Sequence, residues 1–515
     1  MHVDARTLPN GSLLEGDLCI VGAGAAGITI AREWIGSHRK VLLLEGGGLQ
    51  YESAMQDLYR GEIVGLPYFP LEAARLHYFG GTTGHWAGWC ATFDGIDFEK
   101  RDWVPHSGWP IRREDLDSFY VRAQPLLELG PYEFSAGAWQ RRDPALVPLP
   151  LDPRVVWTKM WQFSPPTRFG TTYRDAIFGA RNVELYTHAN VCEIEPNDAV
   201  TRVQGLRVRG LDGKEIRVRA RHYVLACCSI QNARLLLASN RRASAGLGNA
   251  YDLVGRFFME HIEMPGGHLV LAAVPTAGMK MYEMNYGVTK ARGELALQAA
   301  VQRERRMLNG TVSLEPGAPD ELAKSTFQAM PPDAVAKMRE SRERSDSPPA
   351  AAATPPAGGG RGGRFFHVIS RSEQSPNPHS RVSLSTERDA LGMPRVKLDW
   401  RLTDLEKHSF RAFYEVLGQE FGRSGLGRVQ LLDWITSAEP GWPGTLSGGW
   451  HHMGTTRMHE SPRWGVVDSS CQVHGLPNLS IAGASVFPTG GGVNPTLTLV
   501  ALSLRLSDSL KRKLA

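Results

Sequence analysis

The sequence predicts an α/β protein interrupted by a second, α+β domain, and three observations carry that reading. Asp17 to Gly48 (DLCIVGAGAAGITIAREWIGSHRKVLLLEGGG) passes from a short apolar run through a glycine turn and a helical stretch into a second apolar run ending at Glu45, which is a β-α-β unit. Pieces of the same character recur far downstream, at Val183 to Ala226 and again near the C-terminus. Between them, Phe93 to Arg181 and Ile262 to Ser447 are richer in Trp, Pro and Met, as an inserted domain would be.

Each piece has its own local reason. Val183 to Ala226 alternates apolar and polar residues, with Asp212-Gly213 as a hairpin turn, and then runs into SIQNARLLLAS, whose apolar spacing is helical. LPNLSIAGAS reads as a buried strand. From Pro495 onward, PTLTLVALSLRLSDSLKRKL reads as a long apolar helix whose basic last turn suits the helix dipole. The expected boundaries are 14–92, 182–261 and 448–515 for the discontinuous first domain, and 93–181 and 262–447 for the inserted one. Within the latter, 345–363 (SDSPPAAAATPPAGGGRGG) lacks apolar bulk and is expected to be a flexible loop.

Composition narrows the function. The chain has 515 residues, 42% hydrophobic and 22% charged, and a formal net charge of +5 from 58 basic and 53 acidic side chains, so no basic stripe for nucleic acid is expected. Cys19, Cys90, Cys192, Cys227, Cys228 and Cys471 are scattered with no C-x-x-C pair, which argues against a disulfide framework and a zinc site. The start, MHVDARTLPNGSLLEGD, has no apolar signal core. No uncharged apolar run approaches the ~18 residues of a membrane span, so a cytoplasmic protein is the expectation.

Gly22-x-Gly24-x-x-Gly27 falls between a strand and a helix, where such glycines allow the tight turn, the approach of a pyrophosphate and close helix packing. Glu45, 18 residues after Gly27 and at the end of the second strand, can accept both ribose hydroxyls of an adenosine. The pair points to a dinucleotide in a Rossmann-like domain, and Glu45 opposes a 2′-phosphate. There is no G-x-S-x-G elbow and no P-loop.

Four further motifs resemble the glucose-methanol-choline (GMC) oxidoreductases. Gly80-Gly81-Thr82-Thr83-Gly84-His85-Trp86 is similar to that family's flavin-contacting loop, and Val254-Gly255-Arg256-Phe257-Phe258-Met259-Glu260-His261 to the segment closing its second cofactor-binding stretch. His451-His452-Met453-Gly454-Thr455-Thr456-Arg457-Met458 resembles its catalytic histidine motif, and Asn478 to Pro488 followed by Asn494-Pro495-Thr496-Leu497-Thr498 resembles its C-terminal signature. The wording is nearest to pyranose oxidases and bacterial sugar dehydrogenases.

The resemblance implies a Rossmann-like FAD-binding domain with an inserted antiparallel-sheet substrate domain, and FAD-dependent oxidation of an alcohol on a sugar, glycoside or polyol. It implies His451 as the base that takes the hydroxyl proton while flavin N5 takes the hydride, with Asn494 at the second active-site position. Gly81, Thr82, His85, Trp86, Val191, Ala484, Asn494, Pro495 and Thr496 join Gly22, Gly24, Gly27 and Glu45 as cofactor contacts. The alternative for Asn494 is a cap on the helix that Pro495 starts, and the two roles are compatible. His85 matches the position of an 8α-histidyl flavin link, but the wording around it departs from the linked subgroups, so a histidine packed on the flavin is favoured over a bond. His452, Glu373 and Gln374 are candidates for substrate contact. Arg457, His459 and Glu460 have no ligand spacing, so no metal is expected. The electron acceptor is left open between oxygen and a quinone or other carrier. The rivals are a flavin-containing lyase on the same scaffold, a choline or aliphatic-alcohol dehydrogenase, and a flavin-binding sensor.

Overall fold

The computed structural model describes residues 1–273, 275, 279–287, 289–317, 364–437 and 441–515, and the stretch 345–363 lies outside them. The first sheet has a parallel core in the order His2–Asp4, Val183–Thr187, Val41–Leu44, Leu13–Val21, Glu215–Leu225 and Leu479–Ile481. Leu18, Ile20, Val41 to Leu44, and Tyr223 to Leu225 are all inaccessible to solvent, as strands covered on both faces require. Asn190–Pro196 and Val203–Arg209 extend the sheet as antiparallel strands, with Gly213 at φ +80° in the turn that leads back into Glu215–Leu225.

Register decides what this sheet can build. Val21 pairs with Leu44 and with Leu225, and Leu225 with Ile481, so four strands end in one row at their carboxyl ends. Residues just past that row, on four separate stretches of chain, are thrown together on one side of the sheet. The helix Ala25–Glu33 begins there, and the helix Thr496–Leu514 packs against both Ala25–Glu33 and Asp117–Leu126.

The second sheet is antiparallel throughout, in the order Gly427–Leu431, Ile262–Leu271, Phe365–Ser372, Gly310–Pro316, Lys290–Leu297, Val156–Phe163 and Trp89–Cys90, with Asn285–Tyr286 beside Lys290–Leu297. The helix Asp404–Arg423 is started by Thr403, whose hydroxyl accepts from Leu405 N, with Glu406 closing a capping box. A three-stranded sheet of Arg381–Arg388, Pro394–Asp399 and Gly61–Ile63 joins distant parts of the chain.

Three short strands fall on the other side of the boundaries expected from composition. His2–Asp4 joins the first sheet ahead of residue 14, Trp89–Cys90 pairs into the second, and Gly61–Ile63 pairs with Pro394–Asp399. Strands of two or three residues carry too little alternation to be read locally; pairing with distant partners creates them.

Two glycines of the fingerprint are required by packing. Gly22 has φ +101°, and a Cβ on it would lie 2.6 Å from the Ala226 carbonyl oxygen. A Cβ on Gly27 would lie 1.9 Å from the Gly22 carbonyl oxygen, a backbone atom that cannot swing aside. Gly27→Ala should therefore give protein that fails to fold or to retain flavin, read by soluble yield and by flavin absorbance after gel filtration. Normal flavin content would show that helix and strand have slack here.

Candidate active site

A cavity of about 330 Å³ opens against the row of strand ends. Its floor comes from residues immediately past the row, including Gly22, Glu45, Cys227 and Gly483. A Cβ on Gly24 would meet nothing within 4 Å, so the first turn of Ala25–Glu33 faces open space with its unpaired N–H groups. Glu45 is 5% exposed; its Oε2 accepts from Ala23 N at 3.0 Å and its Oε1 from Gly47 N at 3.0 Å. Burial pushes this carboxyl upward while those N–H groups pull it down. Each oxygen keeps a lone pair for a ribose hydroxyl. A glycine cradle at a helix N-terminus, with a carboxylate at the next strand end, fits the adenosine diphosphate portion of a dinucleotide.

The second glycine loop seals this cradle. Gly80 N donates to Ala23 O at 2.8 Å, and the Cβ position of Gly81 lies 3.1 Å from Gly24 Cα, so the two loops touch. The turn Gly81–Gly84 then delivers His85, whose ring stacks on Trp450 with centroids 5.1 Å apart and planes 29° from parallel. Trp86 is fixed by its indole N–H, which donates to Thr167 O at 3.0 Å. Trp450 has φ +60°, a left-handed conformation rare for a large side chain, and it directly precedes His451.

His451 is held on three sides. Its backbone N–H donates to Glu260 Oε1 at 2.6 Å, its Nδ1 lies 2.9 Å from His261 Nδ1, and its Nε2 lies 2.8 Å from Asn494 Nδ2. Burial, then the charges of His261 and Arg371, hold the imidazole well below its ordinary pKa. His261 Nε2 faces Gly491 O at 2.8 Å and Gly490 O at 3.1 Å, and burial lowers its pKa to about 4. Glu260 Oε1 also accepts from His261 N at 2.9 Å, while Oε2 accepts from the Tyr68 hydroxyl, and burial raises this carboxyl to about 7. Tyr68 in turn lies 2.9 Å from His452 Nε2. His452 is thus joined through Tyr68 to the same Glu260 that holds the His451 backbone, but its ring nitrogen is turned to Tyr68 rather than to His261 or Asn494, and both histidines line the cavity. The pKa of His452 is pushed down to about 3 by burial and then by Arg75.

Most of the expected site residues meet at this cavity. Gly22, Gly24 and Glu45 line its cradle; Gly81, Thr82, His85 and Trp86 line its middle; Val191, Ala484, Pro495 and Thr496 line it together with His451, His452 and Asn494. Gly27 packs beneath the cradle. The capping alternative for Asn494 is not realised: Pro495 already has helical angles (φ −75°, ψ −13°), and Asn494 Oδ1 is buried without a hydrogen-bond partner.

Glu373 and Gln374 must be corrected. Neither lines the cavity. Both Glu373 oxygens take Arg101, at 2.7 and 2.8 Å, in a pair with both side chains 0% exposed, and Asn309 N adds a third bond at 3.1 Å. Gln374 Oε1 accepts from Glu260 N and Trp400 Nε1, each at 2.9 Å, and its Nε2 donates to Arg401 O at 3.0 Å. These side chains are spent on the protein itself. Tyr68, Glu260, His261 and Trp450 are the site residues that sequence reasoning missed. Glu260 and His261 stood inside a motif already singled out, but nothing local showed that they meet residue 451. Among the described residues, no group of three or more His, Cys, Asp or Glu side chains could hold a metal ion. No helix among them is long and apolar enough to cross a membrane.

The cradle and cavity fit a dinucleotide, and residues 17–318 match the family model described as FAD dependent oxidoreductase. Residues 376–503 match the model described as GMC oxidoreductase, and the chain belongs to the FAD dependent oxidoreductases, whose model spans more than half of it. It is 24% identical to 2-methyl-1,2-propanediol dehydrogenase of Mycolicibacterium austroafricanum, over 96% of this chain and 95% of that one. To the fructose dehydrogenase large subunit of Gluconobacter japonicus it is 23% identical, over 96% and 98%. Formate oxidase superposes with a TM-score of 0.57 over 98% of this chain and 99% of that chain, at 15% identity, which shows a shared fold. The protein is an FAD-dependent enzyme that oxidises a CH–OH group.

Two predictions follow from the side chains just described. Glu373→Ala strands the buried Arg101 charge, so chemical denaturation should show a loss of about 3–5 kcal/mol, with little change in KM for the protein that remains folded. The opposite pattern, a raised KM at unchanged stability, would return Glu373 to the substrate site. Acid precipitation should leave free flavin in the supernatant and an unmodified mass for the His85 peptide; a flavin adduct on that peptide would establish the bond.

Proposed function

We propose that this enzyme oxidises a hydroxyl of a small polyhydroxylated molecule, a sugar, glycoside or polyol, to a carbonyl, with His451 as the base. The observation that carries the reading is the 2.8 Å contact between Asn494 Nδ2 and His451 Nε2 inside the cavity. With Asn494 Nδ2 turned toward it, His451 Nε2 holds a lone pair, the acceptor that a hydroxyl proton requires. An entering alcohol can take over both partners: its oxygen accepts from Asn494 Nδ2 and its proton passes to His451 Nε2. FAD, when bound, supplies the acceptor for the hydride that leaves the carbinol carbon, so the alcohol loses one proton and one hydride to become the carbonyl. The helix Thr496–Leu514 starts beside Asn494, and its N-terminal dipole favours negative charge at that end of the cavity.

The named relatives support a polyhydroxylated substrate, one being a fructose dehydrogenase subunit and another a 2-methyl-1,2-propanediol dehydrogenase. Trp89 lines the cavity, and the guanidinium groups of Arg371 and Arg292 lie over its ring, 4.4 and 4.6 Å from its centroid. Arg371 Nε donates to Glu263 Oε1 at 2.8 Å, and that oxygen lies 2.8 Å from the Cβ position of Gly449, two residues before His451.

The test is anaerobic mixing with a panel of sugars, glycosides, polyols, choline and aliphatic alcohols, followed by reoxidation with oxygen and with a quinone. Flavin bleaching by the polyhydroxylated members is expected; bleaching by choline or simple alcohols alone, or by nothing, defeats the proposal. His451→Ala should slow flavin reduction by about a hundredfold or more while FAD stays bound. Because burial keeps His451 neutral, the wild-type reduction rate should be flat through neutral pH and fall only in acid, as the lone pair is taken up. A rate that instead falls below pH 8 would place the base elsewhere.

A further inference from the structure

We infer that His261 is a positioning residue that fixes the tautomer of His451, and that the loop from Gly490 to Asn494 sets both ends of this two-imidazole chain. The inference rests on His451 being the base and explains why its free nitrogen is Nε2.

A side-chain amide can turn either Nδ2 or Oδ1 toward a ring nitrogen, so Asn494 alone does not decide which nitrogen of His451 is protonated. The decision comes from the far end. His261 Nε2 sits between two carbonyl oxygens, Gly491 O at 2.8 Å and Gly490 O at 3.1 Å, and carbonyls only accept. His261 therefore carries its proton on Nε2. A second proton on Nδ1 would make it a buried cation near Arg371, and burial holds its pKa to about 4. His261 Nδ1 is then a bare acceptor, and the ring nitrogen facing it at 2.9 Å, His451 Nδ1, must be the donor. With its proton on Nδ1, neutral His451 has its lone pair on Nε2, and Asn494 must turn Nδ2 toward it at 2.8 Å.

The direction of donation is thus determined link by link, from Asn494 to His451, from His451 to His261, and from His261 to the backbone of residues 490 and 491. The chain starts and ends on one loop. When His451 Nε2 takes the hydroxyl proton, the Nδ1–H bond to His261 persists and strengthens, because a charged donor makes the stronger bond. Without His261, the Nδ1 proton of His451 loses its buried acceptor, and the other tautomer, protonated on Nε2, can no longer accept from the substrate. A wrong tautomer disables a geometrically intact base.

The test uses the FAD-loaded protein and two readouts. In protein labelled with 15N-histidine, at neutral pH and without substrate, NMR should show His451 protonated on Nδ1 and bare on Nε2, its signals identified by their loss in His451→Ala. Protonation on Nε2 would overturn the inference, whatever the variants do. In stopped-flow reduction, His261→Leu should lower the limiting rate by tenfold or more, an effect bounded by that of His451→Ala, with the substrate dependence little changed. His261→Asn, whose Oδ1 can stand where Nδ1 stood and accept the same proton, should recover a large part of the rate. If His451→Ala is inert and His261→Leu reduces its flavin at the wild-type rate, the positioning role fails while the base assignment stands. If His451→Ala is itself fully active, the base assignment fails, and the NMR result still decides the tautomer.

Discussion

Parallel pairing puts Val21, Leu44, Leu225 and Ile481 in a single row, and the rest of the molecule's chemistry hangs from it. Open α/β sheets bind ligands past the carboxyl ends of their strands because loops from distant chain segments converge there beside helix N-termini. In this protein the row yields the Gly22 turn, the Glu45 carboxylate, the Cys227 turn and the Gly483 bend at the floor of one cavity. A one-residue slip in any of the four strands would reverse its side chains and withdraw its loop by about 3.3 Å. The row is insured against slippage by burial, since a slip would carry the apolar runs of Leu18–Val21 or Val41–Leu44 out of register with their neighbours.

The second sheet reaches the same cavity by a different device. Its strand Ile262–Leu271 begins one residue after His261, so the imidazole and the adjacent Glu260 sit where the chain passes from one sheet to the other. Glu260 ties the backbone of His261 to that of His451, and Gln374, just beyond Phe365–Ser372, accepts the N–H of Glu260. The backbone of His451 is thereby clamped by a carboxylate to the sheet that carries Trp89, a residue of the cavity lining. Burying so many polar groups is tolerable because nearly all are paired, an unpaired one costing about 1–3 kcal/mol. Asn494 Oδ1, on a residue lining the cavity, is an exception.

Much of this was legible in the sequence, and the boundary of legibility is physical. The β-α-β unit declares itself because strand, glycine turn and helix are consecutive, and each glycine answers a local steric demand. The motifs that carry His451 and Asn494 are compact, so both could be picked out in advance for the cavity they line. What could not be read was pairing across distance: 190 residues separate His261 from His451, and 272 separate Arg101 from Glu373. Glu373 illustrates the hazard. A carboxylate beside an amide, ahead of a proline-rich turn, has the same one-dimensional signature whether it faces a substrate or a buried arginine. Only the sheet that brings Arg101 to it distinguishes the two.

The same consideration explains why the site needs a loop as unusual as Gly490-Gly491-Gly492 ahead of Asn494. To hold a histidine in one tautomer, a protein must give one ring nitrogen an acceptor that cannot donate. A carboxylate would do so but would add charge and raise the pKa of the base, whereas a neutral imidazole accepts without doing either. That imidazole must itself be fixed, and backbone carbonyls, which cannot donate or titrate, fix it absolutely. Carbonyls from residues 490 and 491 reach His261 Nε2, and the same turn of chain brings the Asn494 amide to the opposite end of His451. On the tautomer inferred above, a neutral His451 with its lone pair on Nε2 is a product of backbone geometry, relayed by an imidazole that burial keeps neutral at neutral pH.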